Sequence, residues 1–569
     1  MLSVFFNWIY IAITAFLMGM RLREIVWRHF QYRVKSISSI LAAGLITITV
    51  YAQVFSLFYK VGAVANLVLV GMCIPVVAIQ HQQITQLLCS VWRNNSRARK
   101  LVLAVSVILW CFCTSRGYMH YDSDLYHAQS IRWIEEYGIV KGLGNIHVRF
   151  AYNSSFFALS ALYSMKFLCG RSLHTVNGFI ALLLWIQVLT LFQKKKNRKT
   201  FVTDFARVGA FYYLTVIYSD IVAPASDYAV MCVVFFIVIK WLELIENDEK
   251  QAAPYALLCV AGGYAMTLKL TAGFILILVI KPLCILLREK KLRDIGVYLL
   301  LGCEVIVPWL ARTVLISGYL LYPFPALDLF RVDWKIPAAS AALDAAEIRT
   351  WGRGIYNAAL ADLPVGEWFP AWFYNTLPVI GKLLVLADMI CVVIFILLII
   401  RKVLFRRNCE QMYANQLLVL GTILSSYIFW QFSAPLLRYG YAYILLTVVI
   451  TGGILFDILR KYFDKFQKKD MIVKIALLGT ATLFLFSAVK LLSFVRYVYA
   501  ESAKQAYVFQ QDYGQYELES YDVNGVIFYY PRSGDRVGYD SFPAIPRKTP
   551  IFFRGETIRE GFCPDTTLK

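Results

Sequence analysis

The sequence predicts an all-α polytopic membrane protein, and three observations point to this fold class. Hydrophobic residues make up 59% of the 569 positions and charged residues only 16%, and the mean hydropathy is +0.59. Apolar runs of about 20 residues, each long enough to cross about 30 Å of hydrocarbon, recur along the chain. Such runs span as helices, because a helix satisfies its backbone hydrogen bonds internally.

Short basic connectors separate the apolar runs and orient them. The candidate spans are 4–20, 38–57, 61–80, 100–116, 150–169, 174–192, 203–221, 227–245, 252–268, 271–287, 294–314, 377–401, 413–431, 437–457 and 471–493. The basic connectors are Arg21–Lys35, Arg93–Lys100, Lys194–Lys199, Arg288–Arg293, Arg401–Arg407 and Arg460–Lys469. Lysine and arginine are enriched in cytoplasmic loops, so we expect all six connectors in the cytoplasm.

One pair of runs conflicts with this orientation. Two crossings between residues 150 and 192 would place Lys194–Lys199 outside. We therefore expect Tyr152–Cys169 to be a juxtamembrane or re-entrant helix, since it opens with the polar residues Asn153, Ser154 and Ser155. This arrangement predicts about 14 transmembrane helices with both chain ends outside the cytoplasm.

The same pattern divides the chain into three parts. Residues 1–99 carry additional N-terminal spans, and residues 100–499 form a core with extracytoplasmic loops 117–153 and 318–375. Residues 500–569 are a polar extracytoplasmic tail, too short for a substantial core of its own and expected to dock on the other loops. The net charge of +21 resides largely in the connectors, which indicates membrane topology and no nucleic-acid partner.

The stretch that follows the span ending near Thr114 is the first candidate for chemistry. It carries Asp122 and Asp124, with His127 one helical turn after Ser123. We expect a short interfacial helix over Leu125–Tyr137, with Trp133 at the level of the lipid headgroups. The structural alternative is that Asp122 or Ser123 caps this helix, which would account for one of the two acids but not for the pair. A carboxylate pair also suits a general base with a partner that holds a cation or a hydrogen bond.

Further charged and polar residues lie on the same predicted side of the membrane. Each of them alone is typical of an interfacial anchor or a helix cap. Together, the basic members Lys269, Arg312 and Arg438 are suited to hold a phosphate, since arginine matches phosphate in a bidentate geometry. The full set of candidate substrate-binding residues is His127, Arg149, Asn153, Asp227, Lys269, Arg312, Arg438 and Tyr439.

The order of these motifs resembles a known family. An acidic motif after a span and before a juxtamembrane helix resembles the arrangement of GT-C glycosyltransferases. Four further motifs are similar to landmarks of the protein O-mannosyltransferase and lipid A aminoarabinose transferase branch of that family: Ser226-Asp227, Thr267-Leu-Lys269, Pro308-Trp309 and Arg438-Tyr439. The resemblance covers roughly residues 100–460; three spans precede the expected first one, and the tail has no counterpart. The segments 126–138 and 315–323 also resemble an uncharacterised bacterial membrane-protein group found with surface-polysaccharide genes.

The resemblance implies a GT-C-like helical bundle in a bacterial inner membrane, with its active site on the extracytoplasmic side. The donor would be a polyprenyl-phosphate-linked sugar, and the acceptor a glycan, lipid or protein of the cell surface. Asp124 is then our expected general base, because it begins the predicted helix, while Asp122 caps the helix or holds a cation. A divalent Mg or Mn ion held by Asp122 and Asp124 is an open alternative.

Two other functions compete with this one. An O-antigen or capsule polymerase or ligase would use the large loop 318–375. A flippase or transporter for lipid-linked sugars would need charged residues in mid-span, for which the sequence offers Glu304 and Lys281.

Overall fold

The computed structural model describes residues 1–192, 200–404, 411–464, 469–502 and 508–565, and most of them are helical. The helices are α1 Leu2–Phe30, α2 Ile37–Phe58, α3 Ala63–Asn94, α4 Arg97–Ser115, α5 Ala128–Glu136, α6 Ser155–Tyr163, α7 Lys166–Cys169, α8 Val176–Val188, α9 Val202–Ile217, α10 Ser226–Glu246, α11 Ala252–Leu268, α12 Ile280–Arg288, α13 Leu292–Ser317, α14 Ala338–Gly352, α15 Val365–Ala371, α16 Val379–Leu404, α17 Gln411–Ser433, α18 Leu437–Asp464 and α19 Lys469–Ser502. A 3-10 segment, Leu270–Val279, leads directly into α12.

The helices confirm a polytopic membrane protein. Within the described residues, 11 helices are long and apolar enough to cross a membrane, counting Leu270–Arg288 as one. Shorter apolar helices cover Ser155–Cys169, Val176–Leu191 and Ala252–Leu268. The number of about 14 crossings therefore stays a prediction.

The two ends of the bundle differ in character. The connectors between α1 and α2 and between α12 and α13 meet at one end, where Phe30 stacks on Tyr298 with ring centroids 4.3 Å apart. We call this the basic end. At the opposite end, α4, α11 and α13 finish and α10 and α18 begin. We call this the polar end, because the interhelical ion pairs described below lie there.

The segment expected to be juxtamembrane or re-entrant has the required geometry. α6 has only 9 residues, about 14 Å of helix, which is too short for a hydrocarbon core of about 30 Å. Its start lies at the polar end, where Ser154 Oγ donates to the Leu268 carbonyl over 2.7 Å. The chain turns back at once, since the Leu173 N–H donates to the Ser164 carbonyl over 2.7 Å. The connector Lys194–Lys199, which motivated this prediction, lies in 193–199, outside the described residues.

The tail forms two small sheets on top of the polar end. β1 (Leu518–Val523) pairs antiparallel with β2 (Val526–Pro531) through Asn524 and Gly525, both with positive φ, as a two-residue hairpin turn requires. β3 (Phe552–Phe553) pairs with β4 (Phe562–Cys563). The all-α description thus holds for the bundle, and the tail adds these strands.

α5 lies beneath the tail. Trp133 was expected at the headgroup level, but it is 1% exposed and packs against Phe542 at a ring distance of 4.7 Å. Gln129 donates to the Gly538 and Ser541 carbonyls. The tail, which the sequence separates from Trp133 by about 400 positions, covers this face of α5. The placement of Trp133 at the level of the headgroups stays a prediction.

Candidate active site at the polar end of the bundle

Four charged side chains from four separate segments meet at the polar end. Arg438 Nη2 donates to Asp122 Oδ2 over 2.6 Å, and Arg438 Nε lies 3.4 Å from Asp227 Oδ2. The other oxygen of Asp227 accepts from Lys269 Nζ. The two acids and two bases alternate, and we call this set the ion-pair cluster.

Local structure places each member of the cluster. Asp122 follows α4 through a loop held against the chain near α9, where the Tyr118 N–H donates to the Ser219 carbonyl over 2.7 Å. Asp227 is in the first turn of α10, where a carboxylate is favoured by the helix dipole. Lys269 is the residue at which α11 ends, and Arg438 is in the first turn of α18. The cluster therefore forms where helix termini converge.

Aromatic and imidazole groups complete the cluster. Lys269 Nζ lies 3.2 Å from the centroid of the Tyr439 ring, and the Tyr439 hydroxyl accepts from Arg438 Nη2 over 3.1 Å. Arg438 also contacts His120 Nε2. His120 was not among the predicted site residues, although it stands only two positions before Asp122.

The cluster is partly shielded but still reaches water. Side-chain exposure is 16% for Asp122 and 24% for Arg438, and 21% for Lys269 against 9% for Asp227. Burial would raise the pKa of Asp122, but Arg438, together with the neighbouring imidazoles and Arg149, outweighs burial and holds that pKa below its ordinary value. Burial and the same guanidinium lower the pKa of His120. Asp122 is therefore ionised and His120 neutral near neutral pH.

Arg149 adds a positive charge beside this cluster. Its guanidinium lies 4.5 Å from the Trp351 ring, and its charge helps to lower the pKa of Asp122. It forms no salt bridge within the described ranges of the chain. An incoming anion would find Arg149 available.

Asp124 has different surroundings. It is 4% exposed, and its carboxylate accepts from the Gly514 N–H over 3.0 Å and from the Tyr516 hydroxyl over 2.8 Å. Its carbonyl accepts from the N–H groups of Val537 and Gly538, each over 2.9 Å. Every one of these partners belongs to the tail, so Asp124 anchors the tail.

The acidic stretch itself is wound as a π-turn over Ser123–His127, and such turns are frequent at functional sites. Asp122 precedes it without a side-chain capping bond. His127 is 3% exposed, lies 3.4 Å from Ser123 Oγ and packs against Phe157. Burial lowers its pKa to about 3, so His127 is a neutral core residue next to the cluster.

Arg312 and Asn153 form a separate structural contact. Arg312 is 3% exposed, donates from Nε to Asn153 Oδ1 over 3.1 Å and contacts Ser56 Oγ. Asn153 also donates to the Trp309 carbonyl over 2.8 Å. These bonds join α2, α13 and the start of the α6 segment, and the structure does not place Arg312 among the cluster's ion pairs.

A further carboxylate, missed in the sequence, comes from the loop 318–375. Asp344 of α14 accepts from the Tyr152 hydroxyl over 2.7 Å, and the Tyr152 ring meets the Tyr126 ring edge to face at 5.6 Å. Burial raises the pKa of Asp344 to about 6. The sequence around Asp344 did not indicate a functional role, because acidic residues are common in alanine-rich surface helices.

One ionisable residue, Asp388, lies deep in a span. Asp388, near the middle of α16, is 0% exposed, and neither carboxylate oxygen has a hydrogen-bond partner in the described part of the chain. By contrast, Glu304 of α13 is exposed on the bundle's surface, and Lys281 Nζ lies 3.7 Å from the Tyr255 ring. The fully buried ionisable residue in mid-span was thus the one that the sequence analysis overlooked.

The arrangement does not suit one metal ion shared by Asp122 and Asp124. The first carboxylate faces Arg438 and the second faces the tail. Over the ranges that the structure describes, no group of three or more His, Cys, Asp or Glu side chains has a metal-binding arrangement. A requirement for Mg or Mn stays a prediction.

The fold and site define a polytopic helical membrane protein with a partly shielded ion-pair cluster at one end. A family model described as a domain of unknown function, DUF8201, matches residues 1–445, so the chain belongs to that family. The match includes every member of the cluster and stops before α19 and the tail. A search of curated proteins found no match.

Proposed function

We propose that this protein is a membrane glycosyltransferase that moves a sugar from a polyprenyl-phosphate carrier to an acceptor hydroxyl on a glycan, lipid or protein. The observation that carries the proposal is the ion-pair cluster, in which two cations and two carboxylates meet at the polar end. Burying charges is costly unless they are paired, and such groups mark functional sites more often than structural ones in membranes. The motif order that resembles GT-C enzymes supports the same assignment.

The cations of the cluster are suited to bind the donor phosphate. Arg438 offers a planar fork and Lys269 a point charge, and both are now neutralised by Asp122 and Asp227. A donor phosphate that binds Arg438 would displace the carboxylate of Asp122 from it. Arg149 would supply additional positive charge for the phosphate. A lipid-borne donor can approach such a site from the bilayer, since the cations stand at helix ends.

The carboxylate that the donor displaces is a suitable general base. Arg438 holds the pKa of Asp122 down, which makes Asp122 a weak base in the free protein. Once phosphate neutralises Arg438, the pKa of Asp122 rises and the carboxylate can accept a proton. Asp122 would take the acceptor's hydroxyl proton while the oxygen bonds to the anomeric carbon and the polyprenyl phosphate leaves with the bonding electrons. One direct displacement of this kind inverts the anomeric configuration.

This assignment prefers Asp122 to Asp124, the base favoured by sequence position. The carboxylate oxygens of Asp124 already accept hydrogen bonds from Gly514 and Tyr516. Breaking these bonds would detach the tail. By the charge rule the basic end would face the cytoplasm and the site the opposite side. The proposal takes that side as the outer face of a bacterial inner membrane, as the resemblance to GT-C enzymes implies.

The experiment is a transfer assay with the purified full-length chain. Polyprenyl-phosphate sugars are presented in vesicles with a panel of hydroxyl acceptors, and release of polyprenyl phosphate is measured with and without acceptor. Acceptor-dependent release by the wild type, absent in Asp122→Asn, is the expected result. Failure of every donor to be consumed, together with no binding of polyprenyl monophosphate, contradicts the proposal.

Asp388 favours a second candidate, a transporter of lipid-linked sugars. An ionisable residue buried in mid-span marks an ion or substrate pathway by default. Movement of a labelled polyprenyl-phosphate sugar between leaflets of vesicles, without acceptor and abolished by Asp388→Asn, would favour transport. Normal transfer activity in Asp388→Asn would leave Asp388 as a packing feature.

A further inference from the structure

We infer that the basic end of the bundle carries a binding site for an anionic glycerophospholipid. The site is a cavity of about 410 Å³ between α1, α2, α10 and α11, a volume in the range of ligand pockets, roughly 300–1,000 Å³. It lies at the opposite end from the ion-pair cluster. The inference therefore goes beyond the proposed function and does not depend on it.

The wall of the cavity is apolar and long. It is lined by aliphatic and aromatic side chains, among them Val26, Ile40, Ile46, Phe236, Leu258 and Leu301. Along α2 the lining runs from Ser36, at the start of the helix, to Ile46, a depth of about 15 Å at 1.5 Å per residue. An elongated apolar space of this depth fits an acyl chain and offers nothing to a soluble anion.

The rim of the cavity is positively charged. Arg23, Arg33 and Lys35 line it together with Lys240. Arg23 is oriented by donating from Nε to the Val34 carbonyl over 2.8 Å, while Arg33 lies 4.5 Å from the Trp27 ring. Neither Arg33 nor Lys35 pairs with a carboxylate in the portions of the chain that the structure describes.

The acids at the rim do not cancel this charge. Glu243 is already paired with Lys240 over 2.9 Å and with Arg207. Glu249 accepts from the N–H groups of Lys250 and Gln251, each over 2.9 Å. The lining thus carries four cations, Arg23, Arg33, Lys35 and Lys240, against two carboxylates, Glu243 and Glu249, beside an apolar slot. Basic pockets between membrane helices bind anionic lipid headgroups through such an excess of positive charge.

The test compares lipid binding by the purified full-length chain in neutral detergent, using native mass spectrometry. The probes are phosphatidylglycerol, phosphatidylcholine with matched acyl chains, and inorganic phosphate. We expect phosphatidylglycerol to bind and phosphatidylcholine to bind more weakly. A Lys or Arg near a headgroup contributes about fivefold in affinity, so R33A/K35A should bind phosphatidylglycerol about 25-fold more weakly.

Two further variants separate the charge from the apolar slot. R288A/R293A removes two exposed cations from the same end without touching the cavity, and its affinity should equal the wild type's. Ala43→Phe fills the slot without changing charge and should also weaken phosphatidylglycerol binding. Equal binding of the two lipids, wild-type affinity in R33A/K35A, or competition by inorganic phosphate that Ala43→Phe leaves unchanged would each overturn the assignment to a lipid.

Discussion

Asp122 and Asp124 are two positions apart in the sequence, but their side chains contact different parts of the molecule. The carboxylate of Asp122 meets the guanidinium of Arg438, which comes from α18. The carboxylate of Asp124 meets a backbone amide and a tyrosine of the tail. Asp122 is compensated by a guanidinium that an anionic ligand could also bind, and Asp124 is compensated by hydrogen bonds from the tail. The difference teaches that spacing alone cannot tell a base from an anchor.

The largest effect is expected for Asp122→Asn. The substitution keeps the size of the side chain and removes its basicity, so turnover of the lipid-linked donor should fall by about 10²- to 10⁴-fold. Binding of polyprenyl monophosphate should persist, because Arg438 and Lys269 remain. Turnover within a few-fold of the wild type would show that Asp122 only balances Arg438.

Asp344→Asn tests a third carboxylate through its pH dependence. Its folded pKa is about 6 against an ordinary 3.8, so the folded chain binds more protons than the unfolded chain between these values. Stability therefore falls as pH rises from about 4 to 6, by up to about 3 kcal/mol. The variant should flatten this slope in thermal unfolding measured over that range.

The same variant sharpens the choice of base. If Asp344→Asn abolishes transfer while Asp122→Asn does not, the base lies in the loop 318–375, and the polymerase or ligase alternative gains support. Wild-type turnover in Asp344→Asn leaves Asp122 as the candidate.

Asp124→Ala should loosen the tail and leave the ion-pair cluster in place. The Gly514 N–H and the Tyr516 hydroxyl lose their acceptor, at a cost of about 1–3 kcal/mol. Hydrogen exchange should rise across 513–545 while the bundle stays protected. The matched control is Asp535→Ala, which removes a different contact of the tail, the one with Tyr121, and should change little. Loss of turnover in Asp124→Ala without loosening of the tail would restore Asp124 as a catalytic candidate.

The smallest effect is expected for Arg438→Lys, which keeps the charge and loses the fork. Affinity for polyprenyl monophosphate should fall about tenfold, since one of the two phosphate contacts is lost. Arg171→Lys is the control, because Arg171 pairs with Asp512 and is more exposed. Equal affinities in both variants would remove Arg438 from the donor site.

The sequence by itself determined the fold class and much of the layout. Apolar runs near 20 residues and the basic connectors between them are local features, each readable without its neighbours. The basic connector Lys194–Lys199 predicted that one of the two runs before it does not cross, and the polar opening Asn153–Ser155 selected the first of them. Placing Asp122, Asp227, Lys269 and Arg438 at one end also followed from counting spans.

Only the tertiary structure decided which of these residues touch. Arg438 reaches Asp122 across 316 positions, Asp124 reaches Tyr516 across 392, and Arg312 turns inward to Ser56 across 256. Asp344 and Asp388 were identified as candidate residues only because the structure shows that they are buried. Hydropathy is a local property of a segment, so the sequence predicts the spans directly. The contact partner of a side chain depends on how the helices pack against one another, so the sequence does not predict it.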